Sequence, residues 1–217
     1  MTVELYGVYG ASGFGKEVMP LVRQQFPHIE KECFVFIDDG QAGTDLNGYP
    51  ILSYHDFKSH KAVSKSVTIA IANSIVREKL VLRLNEDSIQ HLEVKAENTV
   101  ILDEVEIGEG SLLCPFTCLT SNIKIGKFFH ANIYSYVAHD CVIGDYVTFA
   151  PSVKCNGNIH IEDHAYIGTG AVIKQGTPDK PLVIGKGAVV GMGAVVTKSV
   201  PPGVTVVGNP ARILEKK

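Results

Sequence analysis

Bulky apolar residues recur at every sixth position through the middle of the chain: Ile101, Ile107, Leu113, Leu119, Ile125, Ala131, Val137, Ile143, Phe149, Cys155, Ile161, Ile167 and Ile173. Four residues after these comes a weaker register of small or branched side chains, among them Val105, Ser111, Thr117, Cys141, Val147, Val153, Ala165 and Ala171. A period of six matches neither an amphipathic helix nor one long strand. It matches a coil of three short flat faces, each one hexapeptide long and turning one aliphatic side chain inward, so that stacked coils bury one another's apolar surface. The pattern predicts a hexapeptide β-helix. After Ile173 the next core positions are Ile184, Val190 and Val196, so the register slips once, by a step of eleven. The intervening Gln175-Gly-Thr-Pro-Asp-Lys-Pro181 reads as a turn-rich loop projecting from a coil. The solenoid is expected to end near Val200, because Pro201-Pro202-Gly203 cannot continue a strand. Residues 204–217 then form an extended tail and a short closing segment.

Residues 1–95 show no such register and are expected to form a separate domain, with the solenoid domain over 96–217. Apolar runs predict strands over 5–9, 34–37 and 67–71, and helices over 16–25, 53–60 and 74–84. Alternation of this kind argues for a small parallel α/β unit, and residues 93–98 read as the connection into the solenoid. The first strand runs into Gly10-Ala-Ser-Gly13-Phe-Gly15 and then a helix, a placement that gives the glycines physical meaning. They let backbone approach a ligand, and the helix N-terminus favours an anion. A tight turn with no ligand is the competing reading. Asp38 and Asp39 end the second strand, where a carboxylate can accept hydrogen bonds from a ribose or a base. Asn73 lies at the same carboxyl edge, while Arg77 is expected on an exposed helix face. The domain is too short for both halves of a dinucleotide fold, so a single nucleotide or nucleotide sugar is favoured over NAD.

Composition narrows the class. With 45% hydrophobic and 20% charged residues, the 217-residue chain has the make-up of a soluble globular protein. A net charge of −3 gives no basic footprint for nucleic acid. Nothing approaches the length of a membrane span, and the first residues lack a signal peptide's layout. The five cysteines form no C-x-x-C pair, and Cys141 and Cys155 fall on core positions, so reduced, packed thiols in a cytoplasmic protein are expected.

Three hexapeptides make one coil, so residues eighteen apart stack. His139 then lies between Ser121 and Gly157, off the core register and beside Asp140. Imidazole suits general-base work near neutral pH, and a glycine stacked on it leaves space and a backbone N–H for a reacting carbonyl. A surface histidine at a turn is the alternative. The same spacing argues against a three-histidine zinc site, because neither Gly157 nor Gln175 supplies a partner to His139, His160 and His164 point differently, and His130 is half a coil away.

The order of these parts, with Tyr9-Gly-Ala-Ser-Gly-Phe-Gly15, Ala138-His-Asp-Cys-Val-Ile-Gly-Asp145, Lys154-Cys-Asn-Gly-Asn158 and Val207-Gly-Asn-Pro-Ala-Arg212, resembles the sialic-acid-O-acetyltransferase-like (NeuD-like and PglD-like) sugar acyltransferases. That family includes bacterial N-acetyltransferases of nucleotide-linked 4-amino-4,6-dideoxy sugars. The resemblance spans essentially the whole chain. It implies a Rossmann-like domain followed by a left-handed parallel β-helix, assembled as a homotrimer with active sites between neighbours. It implies that the glycine-rich turn (Gly10, Ser12, Gly13, Gly15) with Asp38 and Asp39 binds the nucleotide. It implies that acetyl-CoA lies between two solenoids, near Gly157, Gly191, Gly193, Ala194 and the tail at Pro210, with His139 as general base and Asp140 supporting it; with the histidine spacing against zinc, no metal is expected. Some relatives carry a second histidine nine residues after the base; here that position is Thr148. Nothing in the sequence separates an amine from a hydroxyl acceptor, so a sugar O-acetyltransferase stays open. A solenoid zinc enzyme of the carbonic-anhydrase type and a non-catalytic scaffold are the more distant alternatives.

Overall fold

A computed structural model of the protein describes residues 4–215. The chain forms two compact units divided between Val94 and Lys95.

The first unit is a six-stranded sheet in the order β3-β4-β2-β1-β5-β6, with β1 (Glu4–Tyr9), β2 (Phe34–Ile37), β3 (Asp45–Leu46), β4 (Tyr49–Leu52), β5 (Ser64–Ile69) and β6 (Gln90–His91). All neighbours are parallel except β3, which turns back on β4. Strands β1 and β2 read as near-continuous apolar runs because they are buried in the middle of the sheet. Helix α1 (Gly13–Gln25) buries Val18, Met19, Leu21 and Val22. Helix α2 (Tyr54–Ser59) is capped by Ser53, whose hydroxyl accepts from the Asp56 N–H, and α3 (Ser74–Glu86) by Asn73, whose Oδ1 accepts from the Val76 N–H.

Arg77 corrects its expected exposure. On α3 it is fully buried, and its Nη1 donates to the carbonyls of Ile71 (2.7 Å) and Ala72 (3.2 Å). The guanidinium therefore ties down the loop after β5, which packs against Gly10. Arg77→Met keeps much of the volume but leaves those carbonyls without their charged donor. We expect a loss of about 2–3 kcal/mol, read as a lower urea midpoint.

The second unit is a solenoid of three sheets whose neighbouring strands lie one coil apart: Val137 pairs with Cys155, Ile143 with Ile161 and Phe149 with Ile167. The six-residue register from Leu113 to Ile173 lies inside, in one apolar core with Ile184, Val190 and Val196. A second six-residue period appears in the backbone. Glu104, Phe116, Asn122, Phe128, Tyr134, Asp140, Tyr146, Ser152, Asn158 and His164 all have positive φ, with Gly110 and Gly170 completing the series. Each marks a corner where the chain turns from one face to the next. A non-glycine residue there costs about 1–2 kcal/mol, and stacking along the corners offsets part of it: Phe116 on Tyr134 (4.9 Å), Phe128 on Tyr146 (5.4 Å), Tyr146 on His164 (5.2 Å).

The solenoid begins earlier and ends later than its hydrophobic register. Val94–Lys95 already forms the edge strand beside Leu112–Leu113, with Val94 buried and Lys95 exposed, so the polar residue at the register position hides the coil. At the other end the two prolines occupy a corner, where no ladder N–H is needed. Thr205–Val207 then rejoins the sheet parallel to Val189–Val190, and Arg212–Ile213 closes it antiparallel.

Candidate active site

His139 and Asp140 sit on the solenoid edge between the sheet holding Tyr136–Val137 and the sheet holding Val142–Ile143. Asp140 takes the left-handed corner position (φ 57°), and His139 Nδ1 donates to its Oδ2 at 2.7 Å. That bond fixes the ring and leaves Nε2 as the acceptor. The hydrogen bond from His139, joined by one from Asn122 Nδ2 at 3.3 Å, holds the Asp140 carboxyl below its usual range.

One coil along, Gly157 faces the imidazole. A Cβ there would lie 2.5 Å from His139 Cε1 and Nε2, although the backbone needs no positive φ. Glycine is therefore required by proximity to the ring and not by the turn. Gly157 is buried, and among the described residues no acceptor takes its N–H. Asn156 anchors this corner across three coils: its Oδ1 accepts from Tyr136 OH (2.8 Å), its Nδ2 donates to the Ile173 carbonyl (2.7 Å), and its own carbonyl takes the Cys141 thiol. Burial raises the Tyr136 phenol above its ordinary range, so it stays a neutral donor. Sequence reading missed this pair; the Asn-Gly step at a corner beside the histidine is the signal that points to it.

Other expected residues fall elsewhere. Gly191, Gly193 and Ala194 lie on a different edge of the solenoid, and Pro210 follows in the tail. Gly191 is demanded by packing, since a Cβ would meet Val207 Cγ1 at 2.7 Å, and Gly193 by its φ of +65°. Ala194 is fully buried in the core, and its N–H goes to the Gly191 carbonyl. His160 lies exposed on a sheet face and His164 is stacked on Tyr146. Thr148 is buried. Among the described residues no group of three or more His, Cys, Asp or Glu is placed to hold a metal.

In the first unit the glycine turn divides into structural and open positions. Gly10 needs its φ of +107°, and at Gly15 a Cβ would lie 2.0 Å from the Gly10 carbonyl oxygen. Gly13 has open space around it, so nothing within the chain requires glycine there. Ser12 is exposed, and its hydroxyl makes no cap bond to α1. Asp38 is engaged by the protein itself, accepting from the Ala11 N–H (3.2 Å), the Gly40 N–H (3.0 Å) and Gln41 Nε2 (3.2 Å). Asp39 Oδ1 accepts from the Tyr54 N–H at 2.7 Å, and its Oδ2 faces Arg83 at 3.9 Å. Asn73 spends its carbonyl oxygen on capping α3.

Residues 7–84 match the family profile of the PglD N-terminal domain. Over 219 positions the chain is 50% identical to the GDP-perosamine N-acetyltransferase of Escherichia coli O157:H7, covering 99% of this chain and 98% of that one. Among solved structures, WeeI from Acinetobacter baumannii AYE is 83% identical, with a TM-score of 0.97 over 97% of this chain and 100% of that one. The acetyltransferase domain of PglB from Neisseria gonorrhoeae FA1090, in complex with acetyl coenzyme A, is 25% identical, with a TM-score of 0.83 over 99% of this chain and 100% of that one. The fold is a Rossmann-like α/β unit followed by a left-handed parallel β-helix.

Proposed function

This chain belongs to the bacterial N-acetyltransferases of nucleotide-linked amino sugars, and from that premise we propose which of its residues carry the reaction. The enzyme transfers the acetyl group of acetyl-CoA to the amine of a nucleotide-linked 4-amino-4,6-dideoxy sugar. The observation that carries the residue assignment is the His139 ring, oriented through Nδ1 by Asp140, with Nε2 packed against buried Gly157, whose N–H no acceptor among the described residues takes.

The neutral amine attacks the thioester carbonyl carbon directly, and His139 Nε2 takes the proton it loses. The carbonyl electrons move onto oxygen, which the Gly157 N–H stabilises. Collapse of the intermediate expels the CoA thiolate, which recovers the proton from the imidazolium. No residue is acylated, because an amine is already a competent nucleophile. Asp140 is a positioning residue that holds the ring and stabilises its charged form.

We assign nucleotide recognition to the N-terminal unit, through Gly10, Ser12, Gly13 and Gly15, with Asp38, Asp39 and Asn73 at the same edge. The unexplained glycine at position 13 and the uncommitted Ser12 hydroxyl support this; the carboxylate of Asp38 serves mainly to shape the turn. We also assign a homotrimer. Gly191, Gly193, Ala194 and Pro210 lie on another edge than His139, so a donor groove using both sets needs two copies. The described cysteines are free, and no helix among the described residues is long and apolar enough to cross a membrane. We place the enzyme in the cytoplasm, where acetyl-CoA and nucleotide sugars are made.

Asp140→Asn keeps the shape of the ring's support and removes its charge. We expect kcat to fall at least about tenfold. The carboxyl is depressed in the folded protein, so its ionised form is present above the ordinary carboxylate range and is lost only as pH falls through its lowered value. An acid-side inflection in kcat/KM above pH 5 therefore belongs to another group and persists in Asp140→Asn. Its disappearance in the pH–rate profile would contradict the assignment.

A further inference from the structure

The Gly157 N–H belongs to the same peptide unit as the Asn156 carbonyl. Among the described residues the one cis bond is Asn209–Pro210, so this peptide is trans, and its N–H points opposite to its C=O. Whatever holds the carbonyl therefore aims the N–H. The Asn156 side chain is spent elsewhere, on Tyr136 and the Ile173 carbonyl. Its main-chain oxygen is taken by a thiol: Cys141 Sγ lies 3.1 Å away, and Cys155 Sγ, farther off, lies at 3.9 Å. Gly157 is buried, yet no acceptor among the described residues takes its N–H. Buried backbone donors are nearly always paired, so this one suits an acceptor that arrives with the substrate.

The position of Cys141 marks an exception in the repeat. One coil earlier the same place is held by Ile123, and one coil later by Ile159, both fully buried aliphatics. In the coil of the base it is a residue with a proton to donate. Its sulfur also lies 3.6 Å from the His139 carbonyl, so one side chain touches the backbone of the base and the peptide facing it one coil along. The Asn158 N–H already donates to the His139 carbonyl, which leaves the nearer Asn156 oxygen for the thiol proton. Cys155 supports this from within the core. Its hydrogen bond with Cys141 and its burial hold the Cys155 thiol well above its ordinary range, so it stays protonated. The same bond lowers the Cys141 thiol and polarises its S–H toward the carbonyl.

We propose that Cys141 is a positioning residue for acetyl transfer: its thiol fixes the Asn156–Gly157 peptide with the N–H turned away from the core, toward the oxyanion. The role rests on the reading that the Gly157 N–H stabilises that oxygen, and adds the group that keeps it in place. Cys141 itself is fully buried and touches neither substrate. Aliphatic side chains fill the equivalent position in the neighbouring coils, so packing alone does not call for a thiol. A packing role and a positioning role therefore predict opposite results for the same substitutions.

The test sets Cys141→Val, which fills the space without a donor, against Cys141→Ser, which restores a donor on a smaller and more polar side chain. Each is followed by thiol release with acetyl-CoA and an amino-sugar nucleotide, and by thermal melts. Removing an oxyanion donor outright costs about 10²–10³-fold in kcat, so a peptide left free to rotate should lose about tenfold or more. The valine variant is expected to show that loss while melting close to wild type, with KM for both substrates within about twofold. The serine variant should return to within about threefold of the wild-type kcat even where it melts lower, because its hydroxyl donates. A valine variant near the wild-type rate overturns the proposal, and so does a serine variant as slow as valine. Where valine prevents folding, Cys141→Ala makes the same comparison with serine. If wild type transfers acetyl to no sugar amine, the acetyltransfer reading is what fails. Crystal structures then decide the positioning: a rotated Asn156–Gly157 peptide in the valine variant supports it, and an unchanged one removes it.

Discussion

His139→Asn or His139→Ala loses about 10²–10⁴-fold in kcat, with KM for both substrates changed far less. The size follows from removing the group that takes the amine's proton, and the split between constants follows from a role confined to the transition state. The fold should barely register the change. The side chain is 48% exposed and its polar partner is the equally open Asp140, so thermal melts of wild type and variant should nearly coincide. Thiol release read alongside those melts separates the two effects. A folded variant turning over near the wild-type rate would remove the general-base assignment.

Gly157→Ala is the second large effect, and it should separate stability from catalysis just as cleanly. The added methyl would sit 2.5 Å from Cε1 and Nε2 of His139 and 3.0 Å from Nδ1. Nothing in φ penalises alanine at this position, and the atoms it meets belong to the free end of a half-exposed side chain. The ring therefore rotates away, and the fold loses on the order of 1 kcal/mol, the ordinary cost of a substitution. Catalysis has no such freedom. Displacing a reacting group by about 1 Å costs on the order of 10²-fold, and the rotated ring also gives up its bond to Asp140. Melting temperature and kcat measured on the same preparation decide it. A variant with turnover within threefold of wild type would show that the closeness of Gly157 to the ring has no catalytic meaning.

The solenoid and the His139–Gly157 pairing were legible because both follow from arithmetic. A six-residue apolar period repeated three times makes an eighteen-residue coil, and the observed pairing of Val137 with Cys155 has that spacing. The loop at 175–181 was legible for the same reason, as the place where the six-residue step becomes eleven. The corner residues were hidden. Glutamate, phenylalanine and tyrosine carry no turn signal and break up the Asn, Asp, Ser and Gly positions that do, so the full period in positive φ appears only in the backbone.

In the first unit, element types were readable and side-chain commitments were not. Arg77 was expected in solvent because a charged residue on a helix usually is. Its acceptors, the Ile71 and Ala72 carbonyls, exist only once the loop after β5 is in place. Asp38 looks like a ligand-binding carboxylate at a strand end, yet it closes a ring of hydrogen bonds across the glycine turn that no local pattern announces. The early start of the solenoid was masked by Lys95, an exposed polar residue at a register position.

Direct acetyl transfer to a sugar amine with His139 as base is tested by CoA thiol release, measured for wild type and His139→Asn in parallel over a panel of nucleotide-linked 6-deoxy sugars carrying either an amine or a hydroxyl at C4. Release is expected with amine-bearing sugars alone, matched mole for mole by an N-acetyl product, and nearly abolished in the variant. Equal release with the hydroxyl sugars, or release that does not depend on His139, would contradict it.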